Sequence, residues 1–388
     1  MSGFFKNIRG DKVLWVVVVI LSIFSLLAVY SSTGTLAYRK QGGNTEYYLL
    51  KHFIIVCFGF VLMVLVHRIR HTYFSRISQV ALIIAVILLI VTLFFGSTIN
   101  DASRSIMVPF LNLTFQSSDF AKLALIMYTA RILSKKQDQI KDFKTAFLPI
   151  MWPILLVCAL ILPENFSTAA MLFGTCLVLM FIGRVNIRYI FSLIGTGMLT
   201  LAVVIALVMI TKPDQGRVHT WKNRIDAFMN GEPGSEGYQV EQSKIAIATG
   251  GVFGKMPGKS TQRNFLPHPY SDFIYAIIIE EYGFIGGILL VLLYLIILFR
   301  GTRIVVKSPG NFGAFLAIGV SFSLVFQAMI NMAVAVNLFP VTGQPLPLVS
   351  MGGTSIWFTS IAIGIILSVS REIENPKPAS LEDGTPQA

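Results

Sequence analysis

The chain is divided into apolar runs of roughly 16–25 residues, separated by segments that carry most of its charge. Coiled as a helix at about 1.5 Å per residue, a run of that length crosses the ~30 Å hydrocarbon core of a bilayer. No other feature constrains the fold as tightly. In lipid the backbone N–H and C=O groups find no water, so each run must satisfy them internally as a helix. Of 388 residues, 54% are hydrophobic and only 13% charged, and the mean hydropathy is +0.72. That balance leaves too few polar side chains to clothe a water-soluble domain of this size.

The predicted spans are 13–33, 49–67, 77–96, 119–134, 147–162, 167–183, 187–211, 271–299, 311–335 and 353–370. The expected fold is an all-α polytopic membrane protein of about ten transmembrane helices. A long extracytoplasmic loop, residues 212–270, joins helices 7 and 8. The fourth span is the weakest, short and interrupted by Lys122. A disordered cytoplasmic tail, 372–388, follows a transmembrane domain of residues 1–371.

Charge sets the orientation. Lys6, Arg9 and Lys12 precede the first span, and Arg68, Arg70, Arg76, Arg131, Lys135, Lys136, Arg184, Arg188, Arg300, Arg303, Lys307 and Arg371 fall at one set of alternate span ends. The short connections opposite hold few, chiefly Arg39, Lys40, Lys51 and Arg104. Basic residues collect on the cytoplasmic side, so both termini are expected there. The formal charge of +12 then reads as an orientation signal, not as a nucleic-acid surface. Cys57, Cys158 and Cys176 lie within apolar runs without ligand spacing and read as small hydrophobes. The N-terminal "MSGFFKNIRGDK" leads into a run without a small-residue cleavage site, which predicts a retained first helix.

The residues able to carry chemistry gather on the opposite, outer face. In the long loop "GRVHTWKNRIDAF" sets Arg217, Lys222 and Arg224 around Trp221. Further on, Gln239, Ser243 and Ile247 share a helical face, predicting a short interfacial helix over 238–249 that includes Gln242. The turns "GGVFGK" and "GKSTQR" offer backbone N–H groups beside Lys255, Lys259 and Arg263, a surface suited to a phosphate or diphosphate. The plainer alternative is that the glycines turn the chain and the cations meet anionic headgroups.

Asp272 stands where this loop enters the eighth span, either as a helix cap or as a membrane-face base. Glu280 and Glu281, on the order of 12 Å deeper along a helix, each need a polar cavity, a proton or a partner. Lys122 or Arg104 could serve as that partner. "INDASRSIMVPFLNLTFQSSDFAK" adds Arg104, Gln116, Asp119 and Lys122, and "NLFPVTGQPLPLVSMGGTS" adds Ser350, Gly352 and Gly353. Irregular backbone at membrane depth is tolerated only beneath protein or beside water. The sequence carries no Walker A motif, dinucleotide fingerprint or paired-His zinc motif, and its five histidines are scattered.

These segments resemble the SEDS family (shape, elongation, division and sporulation), from "LLAVYSSTG" in the first span to "PLPLVSMGGTS" before the last. The most specific portion is "GYQVEQSKIAIATGGVFGKMPGKSTQRNFLPHPYSDFIYAIIIEEYGFIGG". "GKSTQRNFLP" is worded more like the division branch than the elongation branch. The resemblance implies a peptidoglycan glycosyltransferase of the bacterial cytoplasmic membrane that polymerises lipid II on its outer side and releases undecaprenyl diphosphate. It also implies a class B penicillin-binding protein and other divisome membrane proteins as partners. The family's Thr-Asp-Phe-Ile-Phe motif carries its catalytic Asp and falls on Asp272 in "SDFIY"; its Glu-Glu-Leu-Gly falls on Glu280 and Glu281.

Four positions depart from the family pattern: His268 for Glu, Ser105 for Trp, Asp119 for Glu and Glu164 for Asp. A divalent cation, Mg2+ or Mn2+, could share the diphosphate, and no ligand set in the sequence defines one. A flippase of a lipid-linked precursor, an elongation-type polymerase and an inactive scaffold are the competing expectations.

Overall fold

Each predicted span falls on a helix in the computed structural model, which describes residues 10–95, 97–99, 102–108, 113–211 and 235–374. The helices are α1 (Lys12–Ser32), α2 (Gly34–Gln41), α3 (Thr45–Arg68), α4 (His71–Phe95), α5 (Ser117–Lys135), α6 (Leu148–Ile161), α7 (Phe166–Ile182), α8 (Ile187–Thr211), α9 (Ser235–Gly250), α10 (Ile274–Lys307), α11 (Asn311–Ala335) and α12 (Thr354–Glu374). Among the described residues seven helices are long and apolar enough to cross a membrane; Phe166–Ile182 is apolar but shorter. α5 falls outside that set. It carries Asp119, Lys122, Arg131 and Lys135 and lies mostly buried between its neighbours. Arg217, Trp221 and Arg224, and the tail from residue 375, lie outside the described residues.

Between α4 and α5 the chain forms a small antiparallel sheet of β1 (Ser97–Ile99), β2 (Ala102–Val108) and β3 (Leu113–Phe115), in that order. Met107 pairs with Thr114 and Thr98 with Ser103. This connection, for which no strand was expected, brings Arg104 onto β2.

Helix ends follow their side chains. Asp11 caps α1 by accepting from the N–H groups of Val13 at 3.0 Å and Leu14 at 3.3 Å, and Asn165 caps α7 through Thr168 N at 3.2 Å. Leu14, Leu21, Leu125, Ile126, Ile154, Tyr294 and Leu316 are fully buried, whereas Ile23, Leu50, Ile83, Ile87 and Leu292 stand exposed. That apolar outer face fits lipid rather than water. α3 and α12 approach closely, and a Cβ on Gly59 would stand 2.6 Å from Ser360 Oγ.

α10 departs from expectation. It spans 34 residues, about 51 Å if straight and well beyond the hydrocarbon core. The chain breaks it at Gly283, with φ 70° and ψ −173°, a backbone region essentially reserved for glycine. The break frees main-chain groups that lipid could not satisfy. The glycine-rich turn after α9 meets them: Lys255 N donates to Glu280 O at 2.9 Å and Met256 N to Glu281 O at 3.0 Å, while Phe284 N donates to Gly251 O at 2.9 Å. A Cβ on Gly283 would lie 2.1 Å from Val252 O, and one on Gly254 would lie 2.2 Å from Glu281 O. Gly283→Ala therefore combines backbone strain with a backbone clash. It is expected to destabilise the protein by several kcal/mol, seen as a lower melting temperature in detergent.

The segment after α11 is irregular yet buried, with Leu346, Leu348, Val349 and Ser350 all under 7% exposed. Its carbonyls are met by helix side chains. Ser25 Oγ donates to Val349 O at 2.9 Å, Tyr294 Oη to Pro347 O at 2.5 Å, Gln327 Nε2 to Pro345 O at 2.9 Å and Asn331 Nδ2 to Gln344 O at 2.7 Å. This is the protein cover that irregular backbone at membrane depth requires.

Candidate functional site

Asp272 does not cap a helix. α10 begins at Ile274, its N-cap is Phe273, and no side-chain cap bond is made there. What fixes Asp272 is backbone held from three directions. Asn331 Nδ2 donates to Asp272 O at 3.0 Å, Ser350 Oγ to Ser271 O at 2.6 Å, and Met351 N to Tyr270 O at 2.9 Å. Ser350 is fixed in turn by Leu346 N at 2.8 Å. The carboxylate is half-buried and accepts from Ser271 Oγ at 2.8 Å; among the described residues no cation pairs with it. The Tyr270 phenol is held above its ordinary value first by burial and then by the negative charge of Asp272. Beside it, exposed His268 meets Tyr270 edge-on, with ring centroids 6.2 Å apart.

Asn331 is the key residue that the sequence reading missed. It is 1% exposed and ties Asp272 to Gln344 with one amide. Gln344 Nε2 reaches Thr168 Oγ1 at 2.7 Å, which links α7 into the same network. The only sequence signal was an amide inside an apolar run, which is weak. Asn331→Leu should orphan two buried carbonyls and destabilise by about 2–4 kcal/mol, with a matching loss of thermal stability in detergent.

A second polar group lines a cavity of about 40 Å³ between α5, α11 and α12, bounded by Asp119, Lys122, Gln327, Ser355 and Thr359, room for a few water molecules. Lys122 Nζ lies 2.7 Å from Asp119 Oδ1 and 3.0 Å from Gln327 Oε1. Lys122 is thus the partner of Asp119, not of Glu280 or Glu281. Gln116 stands at the mouth of α5, its N–H donating to Thr354 Oγ1 at 3.3 Å. Gly352 and Gly353 form the turn into α12.

The glycine-turn cradle is occupied from within. Thr261 N donates to Glu280 Oε1 at 3.1 Å and Gln262 N to Glu280 Oε2 at 3.2 Å, while the Ser260 hydroxyl also donates to Glu280. Lys255 Nζ sits 2.7 Å from the same carboxylate, and Glu280 is fully buried. Of the diphosphate surface expected at these two turns, the N–H groups and Lys255 are engaged within the fold, while Lys259 stays exposed. An internal carboxylate and the α10 carbonyls take the N–H groups, and Lys255 is the ion-pair partner of Glu280. Arg263 Nη1 donates to Ser31 O at 2.9 Å, and Glu281 accepts from the Ser31 hydroxyl. Lys259 is exposed.

Ser243 lies on a buried face of α9 and donates to Ala335 O at 2.7 Å. The predicted helix therefore exists, but it packs on α10 and α11 through this face, with Ala246 and Gly250 buried too. Gln242 is half-buried on the same helix. Among the described residues no group of three or more His, Cys, Asp or Glu could hold a metal ion.

Comparison with known proteins adds a family, two relatives and two solved structures. The FtsW/RodA/SpoVE model, described as cell cycle protein, matches residues 11–375. The chain is 36% identical over 373 residues to the probable peptidoglycan glycosyltransferase FtsW of Trichlorobacter lovleyi, covering 94% of each. It is 31% identical over 369 residues to the stage V sporulation protein E of Bacillus subtilis, covering 94% of this chain and 98% of that one. Among solved structures, a chain from a peptidoglycan synthase complex that coordinates polymerization and crosslinking superposes with a TM-score of 0.75 at 22% identity, covering 94% of this chain and 99% of that one. The rod shape determining protein RodA of Thermus thermophilus superposes with a TM-score of 0.66 at 22% identity, covering 95% and 98%.

Proposed function

Since the chain belongs to the FtsW/RodA/SpoVE family of cell cycle proteins, we propose that it is a peptidoglycan glycosyltransferase that polymerises lipid II during cell division. It is a multi-pass protein of the bacterial cytoplasmic membrane, with both termini inside and Asp272 on the outer side. The reading rests on one observation above others: Asp272 is held by backbone contacts from α11 and the 344–351 segment while its carboxylate meets no cation among the described residues. That leaves a fixed acceptor for a proton at the membrane edge.

As general base, Asp272 takes the proton of the acceptor sugar hydroxyl while that oxygen attacks the anomeric carbon of the donor. The bond to undecaprenyl diphosphate breaks, and the α-linked donor becomes a β-linked glycan. Cations stabilise the departing diphosphate as its charge develops. Lys259 and Lys122 are the described candidates, with Arg104, Arg217 and Arg224 on the outer connections. Lys255 and Arg263 act indirectly, by holding the loop that leads to Asp272. A class B penicillin-binding protein supplies the crosslinking partner, in keeping with the synthase complex whose fold this chain shares.

The test uses purified protein and lipid II, with and without that partner. Glycan strands together with released undecaprenyl diphosphate are expected. Translocation of lipid II across vesicles without any polymer would instead make the protein a transporter.

A further inference from the structure

Two polar contacts join α1 and α10 at opposite ends. At one end Asp11 binds Arg300; at the other Ser31 binds Glu281 and Arg263. Residues 11 to 31 of the first helix measure about 30 Å, the thickness of the hydrocarbon core, and residues 284 to 300, the arm of α10 after the break at Gly283, measure about 24 Å. No charged residue lies between Glu281 and Arg300 in α10. The two contacts therefore mark the two boundaries of the hydrocarbon, and Phe284, where that arm ends, sits about 6 Å inside the one nearer Asp272, with Ile285 next to it.

The N–H groups of Phe284 and Ile285 donate to Gly251 O at 2.9 Å and Val252 O at 3.4 Å, so the turn after α9 lies at that depth too. Its side chains fit the surroundings: Val252 is 58% exposed, Phe253 80% and Met256 62%, in line with Phe284 at 59% and Ile285 at 51%. Its backbone can enter lipid because α10 satisfies it; Lys255 N and Met256 N reach Glu280 O and Glu281 O. Its first lysine is neutralised by Glu280, 2.7 Å away. Lys259, beyond Gly258, is exposed and stands where phosphate headgroups would meet it.

We infer that the turn over residues 250–258 is a lipid-penetrating finger. Val252, Phe253 and Met256 lie among the acyl chains of the leaflet on the Asp272 side, with Lys259 at the headgroups. Lipid is the occupant because Val252 and Phe253, joined through the backbone bonds of their turn to Phe284 and Ile285, continue the exposed apolar face of α10. The finger is braced against Glu280 and Glu281 and continues into the segment that ends at Asp272.

Spin labels measure this directly. In full-length protein carrying Cys57→Ser, with Cys158 and Cys176 left buried, a nitroxide is attached at Phe253→Cys, Lys259→Cys or Phe284→Cys. The labelled proteins are reconstituted in vesicles of phosphatidylethanolamine and phosphatidylglycerol. Power saturation then compares oxygen, which concentrates in hydrocarbon, with a water-soluble nickel chelate. The ratio of oxygen to nickel accessibility at 253 should match that at 284 and exceed that at 259 several-fold. A ratio at 253 equal to that at 259 overturns the inference, because the turn is then in water. Low accessibility to both reagents at 253 also overturns it, because protein then covers the turn. Met256→Cys replaces Phe253→Cys should the latter fail to fold.

Discussion

Asp272→Asn is expected to reduce lipid II polymerisation by two to four orders of magnitude, the usual contribution of a positioned general base. That corresponds to about 3–5 kcal/mol in the barrier. The substitution is nearly isosteric, and its side-chain oxygen can still accept from Ser271 Oγ, which stands 2.8 Å from the native carboxylate. The contacts that hold this stretch reach the backbone carbonyls of Ser271 and Asp272 rather than the carboxylate. The melting temperature should therefore stay near that of the native protein. Rate and stability separate cleanly here: lost turnover at an unchanged melting temperature identifies a proton acceptor. Turnover at the native rate in Asp272→Asn would falsify the assignment, whichever polymer forms.

Glu280→Ala is expected to act on the fold instead. The Glu280 carboxylate serves two backbone N–H groups, two hydroxyls and the Lys255 ammonium while fully buried. Removing one partner of a buried ion pair commonly costs about 3–5 kcal/mol, because the groups left behind have lost their solvent and gained nothing. Lys255 is itself partly exposed and can recover some water, which favours the lower end of that range. Glu280→Gln should fall between, since its oxygen still serves Thr261 and Lys255 while its amide nitrogen opposes Gln262 N. Detergent melting with limited proteolysis across residues 255–264 would measure the order Glu, Gln, Ala. Pairing Glu280→Gln with Lys255→Met should recover part of the loss, because neither partner then remains alone.

The membrane helices were legible because burial in lipid is a local demand. Each run must be long and apolar whatever its neighbours are, and every predicted span coincides with a helix to within a few residues, apart from the late start assigned to the third and the late end of α10. Asp272 was legible as a candidate from its place at the end of a basic loop, although the cap and base readings could not be separated in sequence. The structure removed the cap reading by starting α10 two residues later with no side-chain bond at its N-cap.

The two glycine turns misled for a definite reason. Backbone N–H groups beside serine, threonine and lysine do describe an anion cradle, and that part of the reasoning stands. Which anion fills it depends on a fold-back that brings residues 255–262 onto α10, and periodicity carries no trace of that. The partner of Glu280 was likewise sought at Lys122 or Arg104, on other outer segments, when Lys255 on the adjoining turn provides it. The break at Gly283 was visible only as one glycine within an apolar run.

The sequence by itself determined a polytopic helical membrane protein and pointed to the face where acids and bases collect, because hydrocarbon excludes charge residue by residue. Only the tertiary structure decided which of those charges remain available. Glu280, Lys255 and Arg263 are engaged within the fold, and among the described residues the Asp272 carboxylate meets a single donor, the Ser271 hydroxyl. Pairing depends on distance across the chain, and the 1.5 Å rise and 100° turn of one helix cannot supply it.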